Sequence, residues 1–426
     1  MTATLRPARR RRPRRGSLER PVNGRLYRAA FVVVALPLLV LAFSVTRPAP
    51  LPAPLLPPNF DGTATATLAG EFAKLYPDRE PGSAGSLGAA RWFREALRPY
   101  GLPITSDSWH ETIPGVGRVR LQNLWAVAAG QSPDAIVVMA HRDDLGVGPG
   151  ANDDASGTAA LVELARGYGQ VSTPAAEQVR PAHTIVFLST DGGAFGGLGA
   201  ARFAAHLPFH ILATVNLTAL AGTGPPRIVI AGDTPRSPAA TLVETASKRI
   251  LEGSGKRPRH AGFAAQLIDL GFPITLSEQG PFVARGVPAV TLTTAGERPP
   301  DGFTDRATAL HAGRLAEMGR SAQELVGSLD NGVDLGPGTT SFVWAGDRIV
   351  RGWALELLLV ALLVPCFVGA VDLFAHCRRR RIPLLPAARS LRTRLAFWLF
   401  VGAAFAVFGG LGAWPDGASR PPNPAT

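Results

Sequence analysis

The chain has 426 residues, enough for two or three domains, and 46% of them are hydrophobic. This share is ample for a folded core and excludes a wholly disordered protein. The net charge of +12 would suit a nucleic-acid ligand, but residues 1–28 carry +9 and residues 375–394 carry +7, which leaves −4 for the rest of the chain. We therefore expect no nucleic-acid partner.

The first predicted element is a membrane anchor. A basic tail, residues 1–28, precedes 17 uncharged and mostly apolar residues, 29–45. A helix of that length spans roughly 26 Å, which just crosses a bilayer. We predict an uncleaved anchor over residues 29–46, although small residues near its end leave cleavage as a signal sequence open. The proline-rich residues 47–59 predict an extended spacer.

Residues 60–345 form the predicted main domain, in which short apolar runs alternate with helical patterns. Several runs are continuously apolar, as in strands that are buried on both faces. The alternation predicts an α/β fold with a mostly parallel, mixed sheet sandwiched by helices. We predict strands over residues 123–129, 135–140, 184–189, 210–217, 226–231 and 289–293, and helices over 68–76, 89–100, 155–169, 195–205, 238–251 and 308–330.

A cluster of polar residues follows the strand predicted over residues 135–140. His141 and Asp143 come first, and a glycine-rich turn then leads to Asp153 and Asp154 before a helix. Functional side chains collect at the carboxyl ends of parallel strands, so His141 and Asp153 can converge on one metal ion while Asp143 orients the imidazole. Each residue also has a structural interpretation, since either later aspartate can cap the helix.

Two further apolar runs, residues 353–375 and 395–414, are each long enough to span a bilayer. Basic residues collect on the cytoplasmic side of such helices. The basic tail and the basic loop over residues 376–394 are therefore both expected inside, which places the main domain and the tail over residues 415–426 outside. We predict a multi-pass protein of the cell membrane with three transmembrane helices, whose charge pattern favours anchoring over transport.

Several segments together resemble the di-zinc aminopeptidases of metallopeptidase family twenty-eight, whose relatives include glutaminyl cyclases and non-catalytic receptor domains. The likeness extends from about residue 81 to residue 329 and implies the zinc-aminopeptidase fold. It is carried by the segments REPGSAGSLGAARWFREALRPYGL, QNLWAVAAG, AHRDDLGVGPGANDDASGTAALVELAR, TIVFLSTDGGAFGGLGAARF and GPFVARGVPAVTLTT.

The resemblance implies a two-zinc centre that removes amino-terminal residues from peptides. By motif position, His141 is a terminal zinc ligand, Asp153 is the carboxylate between the two metals, and Asp143 orients His141. A water between the metals attacks the carbonyl after a glutamate takes its proton. The expected partners are the membrane and a peptide or protein ligand.

The sequence departs from the family pattern where this chemistry is expected. Gly193 and Ala194 stand where the family has its general base and a zinc-binding glutamate, so the general base is absent. Thr218 stands at a ligand aspartate. Asp301 stands at a ligand histidine, which it can replace because an aspartate also binds zinc.

The substrate wall is expected at Glu278, Gln279 and Phe282, where the first two residues replace an Asp-His pair of the family. A catalytic zinc normally has three protein ligands, and neither site keeps three on motif grounds. Full occupancy of the two zinc sites is therefore not expected.

Two functions stay open, and with them the question of whether the chain is an enzyme. The first is an exported peptidase-like protein that has lost hydrolysis and whose cleft binds or scaffolds a ligand. The second is an active metal-dependent aminopeptidase with unusual ligands. The acids that such an enzyme could recruit are Asp144, Asp154, Asp191, Glu278, Asp301 and Asp305.

Overall fold

The computed structural model describes residues 23–43, 45–54, 56–169, 180–206, 208–296, 301–332 and 338–411. Most of the predicted basic tail and the whole tail over residues 415–426 lie outside these ranges. The chain divides into two compact units. One unit contains Thr46–Ile349, and the other combines the segment before residue 46 with residues 350–413.

The strands are β1 (Val45–Thr46), β2 (Ile104–Ile113), β3 (Gly117–Ala128), β4 (Ser132–His141), β5 (His183–Thr190), β6 (Ile211–Leu217), β7 (Arg227–Val229), β8 (Ala289–Thr293), β9 (Phe342–Ala345) and β10 (Arg348–Arg351). The helices are α1 (Gly24–Ala30), α2 (Leu36–Ala42), α3 (Gly62–Leu75), α4 (Ala84–Leu97), α5 (Gly157–Arg166), α6 (Leu198–Ala205), α7 (Ala240–Ser254), α8 (Phe263–Gly271), α9 (Gly280–Ala284), α10 (Ala312–Asn331), α11 (Gly352–Arg379) and α12 (Leu385–Gly410).

Seven strands form one sheet in the order β2-β3-β5-β4-β6-β8-β7. The four central strands, β5, β4, β6 and β8, are parallel, whereas β2, β3 and β7 join antiparallel. The predicted parallel pairing therefore holds for these four central strands, and the edges of the sheet are antiparallel. The physical reason is a tight turn that folds β2 back along β3, and β2 carries no continuous apolar run because it lies half-exposed at the sheet edge.

Helices cover both faces of this sheet. Side chains alternate along β4, so that Ile136 and Val138 belong to the core under α5 and α10, and Val137 and Met139 belong to the core on the face that α6 and α9 cover. Because both faces are filled with apolar side chains, the polar residues that follow the strands are left at the carboxyl edge. That edge is where the sequence places its candidate site.

In the second unit, α11 and α12 are the two described helices that are long and apolar enough to cross a membrane. Helix α11 contains the run predicted over residues 353–375, and α12 overlaps the run predicted over 395–414 but begins ten residues earlier, within the predicted basic loop. The third predicted span, over residues 29–46, is not among these helices, because the segment is divided into α1, a π-helical turn over Phe31–Ala35, and α2, which follow one another without a gap. Pro37 lacks the N–H that an unbroken helix needs and crowds the preceding turn, which favours such a bulge.

Candidate active site

A cavity of about 440 Å³ opens at the carboxyl edge of the parallel strands. His141 ends β4, Gly193 lies three residues after the end of β5, and Thr218 directly follows β6. All three line the cavity, together with Asp153 and Glu278. The fold therefore brings together residues that are far apart in the sequence, as the pattern of strands predicts.

His141 is buried and lies between two aspartates. It donates through Nδ1 to the backbone oxygen of Asp143 (3.1 Å) and through Nε2 to Oδ1 of Asp153 (3.2 Å). Only the charged imidazolium donates both bonds at once. The hydroxyl of Thr218 donates to the same oxygen of Asp153 at 2.9 Å. The carboxylate that the family pattern places between two metals is thus bonded to two protein donors.

The charges around His141 favour a proton on the imidazole. Burial alone lowers the pKa of His141, but Asp154, Asp143 and Asp153 together raise it well above its usual value. Desolvation raises the pKa of Asp153, but hydrogen bonds from His141 and Thr218 outweigh it and hold the pKa below its usual range. Burial raises the pKa of Asp154 well above its usual range. These directions favour an imidazolium at His141 that is hydrogen-bonded to an ionised Asp153.

Asp143 holds the loop that follows β5. Its Oδ1 accepts from the N–H of Gly193 at 2.8 Å and its Oδ2 accepts from the N–H of Ala194 at 3.0 Å. A Cβ atom at Gly193 would stand 2.2 Å from Cβ of His141, far inside van der Waals contact. The backbone at the family's general-base position therefore packs directly against His141, which leaves no room for a side chain there.

Asp305 supports the loop that carries Asp153. Its two carboxylate oxygens accept from the N–H groups of Asn152 (2.7 Å) and Asp153 (2.8 Å). Asp301, the residue at the family's last ligand position, is exposed and accepts from the N–H of Phe303. Asp305 lines the cavity and Asp301 is not among its lining residues.

A buried guanidinium fixes the other end of the same loop. Arg79 is fully buried and donates to the backbone oxygens of Arg142, Pro149 and Gly150 at 2.7–3.0 Å. It also forms an ion pair with Asp144 at 3.2 Å. Arg79 thereby ties together the start and the end of the glycine-rich turn. The sequence reasoning missed this residue, because one arginine gives no sign of being buried.

Glu278 is the one member of the predicted substrate wall that lines the cavity. It is 2% exposed, accepts from the hydroxyl of Thr190 at 2.6 Å, and its Oε2 has no hydrogen-bond partner. Burial raises the pKa of Glu278 to about 7, although His141 and the Thr190 hydroxyl lower it. Gln279 and Phe282 are buried away from the cavity, Gln279 donating to the backbone oxygen of Ala231 and Phe282 packing in the core.

We expect Glu278→Gln to flatten the pH dependence of stability. The pKa of Glu278 is about 7 in the folded chain and about 4.5 when unfolded, so the folded state binds the extra proton between these values. The free energy of unfolding of the wild type therefore falls as the pH rises from about 4.5 to about 7, and this residue contributes on the order of 3 kcal/mol to that fall. Denaturant titrations at several pH values measure it.

The matched control for this prediction is Glu71→Gln, which removes one exposed carboxylate on α3. Burial raises the pKa values of Asp144 and Asp191 to about 6, so both variants still lose some free energy of unfolding as the pH rises. If the difference between pH 5 and pH 8 is the same in Glu278→Gln as in the wild type, Glu278 is not the titrating group.

The residues present do not fit the two-zinc centre of the family. A catalytic zinc needs three protein ligands, and within the described ranges no group of three or more His, Cys, Asp and Glu side chains is arranged to hold a metal ion. Gly193 offers no donor atom, and Thr218 donates its hydroxyl proton to Asp153. One carboxylate oxygen near His141 is free to bind a metal ion. Oδ2 of Asp154 lies 4.0 Å from Nε2 of His141 and has no hydrogen-bond partner among the described residues.

A sheet with a parallel centre, helices on both faces and a histidine–aspartate pair at its carboxyl edge defines an aminopeptidase-like α/β domain. The comparison with family models agrees with this class. Residues 123–326, just under half of the chain, match the model described as Peptidase family M28.

Solved structures share the fold at low sequence identity. The glutaminyl cyclase of Fimbriiglobus ruber matches with a TM-score of 0.52 and 16% identity, over 66% of this chain and 99% of that one. The aminopeptidase of Aneurinibacillus sp. strain AM-1 matches with a TM-score of 0.51 and 13% identity, over 63% and 93%. These likenesses establish the fold alone.

Two curated relatives match over short stretches. The transferrin receptor protein 2 of Rattus norvegicus is 35% identical over 109 residues, which are 23% of this chain and 13% of the receptor. A protein of Pyricularia oryzae named as a probable zinc metalloprotease is 33% identical over 138 residues, which are 28% of this chain and 26% of that protein. The matched stretch thus spans about a quarter or less of these relatives.

Proposed function

We propose that the chain is a membrane-anchored, extracytoplasmic peptidase-like protein that has lost hydrolysis and binds a peptide or protein ligand in its cleft. In this proposal α11 and α12 hold the protein in the cell membrane, and the continuous helical segment over residues 24–42 crosses it between the basic tail and the α/β domain. The basic tail and the loop between these helices face the cytoplasm, following the charge rule for such flanks. The α/β domain lies on the opposite side.

One observation carries the loss of hydrolysis. The backbone at Gly193 packs on His141, and the amides of Gly193 and Ala194 occupy both oxygens of Asp143. A general base at this position typically contributes about 10²–10⁴ in rate, and a zinc ligand beside it activates the water. Neither contribution is available from residues without an ionisable side chain.

The cavity itself supports a binding role. Its walls are apolar, formed by residues such as Leu145, Val147 and Val229, and its floor carries acceptors. The buried oxygens Oε2 of Glu278 and Oδ1 of Asn216 both lack a hydrogen-bond partner in the described structure. Unpaired buried acceptors are costly, so a ligand that supplies N–H donors beside an apolar group is favoured here.

We expect the full-length chain, purified in detergent, to contain well under one zinc ion per molecule and to leave amino-acid p-nitroanilides uncleaved. The reason is the missing third ligand at each zinc position. Metal analysis and release of nitroaniline measure the two quantities. Addition of a chelator is expected to leave the melting temperature unchanged, because no bound metal stabilises the fold.

A positive control is available at Thr218. The variant Thr218→Asp places a carboxylate beside Asp153 and His141, which completes three donors, and it is expected to retain more zinc than the wild type. Two tightly bound zinc ions in the wild type, with turnover that His141→Ala abolishes, would contradict the proposal.

The second candidate is an active metal-dependent aminopeptidase with non-standard ligands. The observation that favours it is the unpartnered Oδ2 of Asp154 at 4.0 Å from His141. Of the other recruitable acids, Asp144 pairs with Arg79, Asp191 with Arg142 and Asp305 with backbone amides, whereas Oε2 of Glu278 is also without a hydrogen-bond partner in the described part of the chain. Under this alternative, Asp154→Asn abolishes both zinc binding and turnover, whereas under our proposal there is neither to abolish.

A further inference from the structure

Helix α8 presents a stripe of large apolar side chains to solvent. Phe263, Leu267 and Ile268 lie on the exposed side of the helix, and Phe272 directly follows its last residue. Ile268 is 61% exposed and Phe272 is 69% exposed. The opposite face, with Ala265 and Asp269, lines the cavity. The helix therefore has one side in the cavity wall and an apolar side without a partner in the described chain.

One buried residue attaches α8 to the domain. Gln266 is the buried side chain of this helix, and its amide bonds to both backbone groups of Trp344. Its Oε1 accepts from the N–H of Trp344 at 2.6 Å, and its Nε2 donates to the carbonyl oxygen of Trp344 at 3.1 Å. The position of α8 is thus set by a contact with β9.

A basic segment directly precedes the apolar stripe. Lys256, Arg257 and Arg259 are all exposed and lie within seven residues of Phe263. Asp269 is the single acid between residues 256 and 276. Basic residues next to an exposed aromatic and aliphatic helix face are the combination that binds the interface of an anionic bilayer.

The chain itself limits how far this surface can lie from the membrane. Eight residues lead from Trp344, which holds Gln266, to Gly352, where the apolar helix α11 begins. Fully extended, eight residues span at most about 28 Å. If α11 crosses a bilayer, Trp344 is therefore held by chain length within about 28 Å of the residue where α11 begins.

We propose that the α8 surface, defined as Lys256, Arg257, Arg259, Phe263, Leu267, Ile268 and Phe272, lies in the headgroup region of an anionic bilayer. This rests on the membrane anchoring in the proposed function and extends it. Because the opposite face of α8 forms a wall of the cavity, the cavity then opens beside the membrane interface. The ligand it meets there is one presented at the lipid surface.

The experiment uses the full-length chain reconstituted in vesicles with an anionic phospholipid. Fluorophores are attached to single cysteines introduced by Ile268→Cys or, as a matched exposed position elsewhere, Leu87→Cys, both in a chain with Cys366→Ser and Cys377→Ser. A third chain keeps Cys366, which is exposed on α11, and reports insertion of that helix. Lipids carrying a spin label near the headgroup or deep in the acyl chain quench the fluorophores.

We expect the fluorophore at residue 268 to be quenched by the headgroup-level label at least about twofold more strongly than the one at residue 87. Adding Lys256→Glu and Arg257→Glu, or omitting the anionic lipid, is expected to lower this quenching by about twofold or more. Near-ultraviolet circular dichroism of each labelled chain checks that the domain is folded.

Three other outcomes overturn the proposal. If residue 268 is quenched no more than residue 87 while residue 366 is quenched by the deep label, the anchor stands and the α8 surface does not bind lipid. If residue 366 is not quenched either, the anchoring part of the proposed function fails as well. If residue 268 is shielded only as protein density in the membrane increases, another copy of the chain covers α8 instead of lipid.

Discussion

The variant Arg79→Met loses about 3–5 kcal/mol of the free energy of unfolding, because it removes one partner of a buried ion pair and leaves the other charge in place. Asp144 then lies buried without its cation, and three backbone oxygens at residues 142, 149 and 150 lose their donor. Denaturant titration of the full chain in detergent, followed by tryptophan fluorescence, measures the loss.

Two further variants separate the ion pair from the packing of the side chain. Arg79→Met combined with Asp144→Asn is expected to recover part of the loss, since the orphaned charge is gone. Arg98→Met removes an arginine that is paired with Glu95 on the surface, where ion pairs contribute little, and leaves stability nearly unchanged. Equal losses in Arg79→Met and Arg98→Met would show that Arg79 does not hold the loop.

The second large effect is expected at Gly193, where even alanine is destabilising. Its Cβ would stand 2.2 Å from Cβ and 2.5 Å from Cγ of His141. Both ring nitrogens of His141 are hydrogen-bonded, so this side chain cannot move away from the added Cβ atom without breaking a hydrogen bond. Overpacking of this kind typically costs about 1–3 kcal/mol, and Gly193→Glu is expected to cost at least as much as Gly193→Ala. Thermal unfolding of both variants measures the effect.

The matched control is Gly313→Ala on α10, where nothing lies within 4 Å of the added carbon. Alanine favours helix over glycine by up to about 1 kcal/mol, so this variant is expected to be neutral or slightly more stable. A Gly193→Ala chain that melts at the wild-type temperature and binds zinc would mean that the loop after β5 moves freely, against the packing described above.

The central strands were predictable because burial on both faces leaves a continuous apolar run. The predicted strand over residues 289–293 coincides with β8, and the one over 184–189 differs from β5 by one residue at each end. The edge strand β2 was missed, since its exposed polar residues resemble a loop. Helix α8 was also missed, because its outward face is apolar and the helical period is hidden.

The site was predictable to the extent that its residues follow strands. His141, Asp143 and Asp153 are brought together as the motif implies, and Thr218 lies beside them. The support of the site came from distant segments, with Arg79 and Asp305 fixing opposite ends of one loop. Such contacts depend on how loops pack in space, which no spacing along the chain encodes.

The two hydrogen bonds that Asp143 accepts from backbone N–H groups limit which substitutions the loop after β5 accepts. A carboxylate whose two oxygens are both taken by the backbone of the next loop fixes that loop where it now lies. A glutamate at residue 193 therefore fits beside His141 only after this loop is displaced. If hydrolysis is absent as proposed, a substitution at residue 193 alone does not restore it, because the loop after β5 has to change as well.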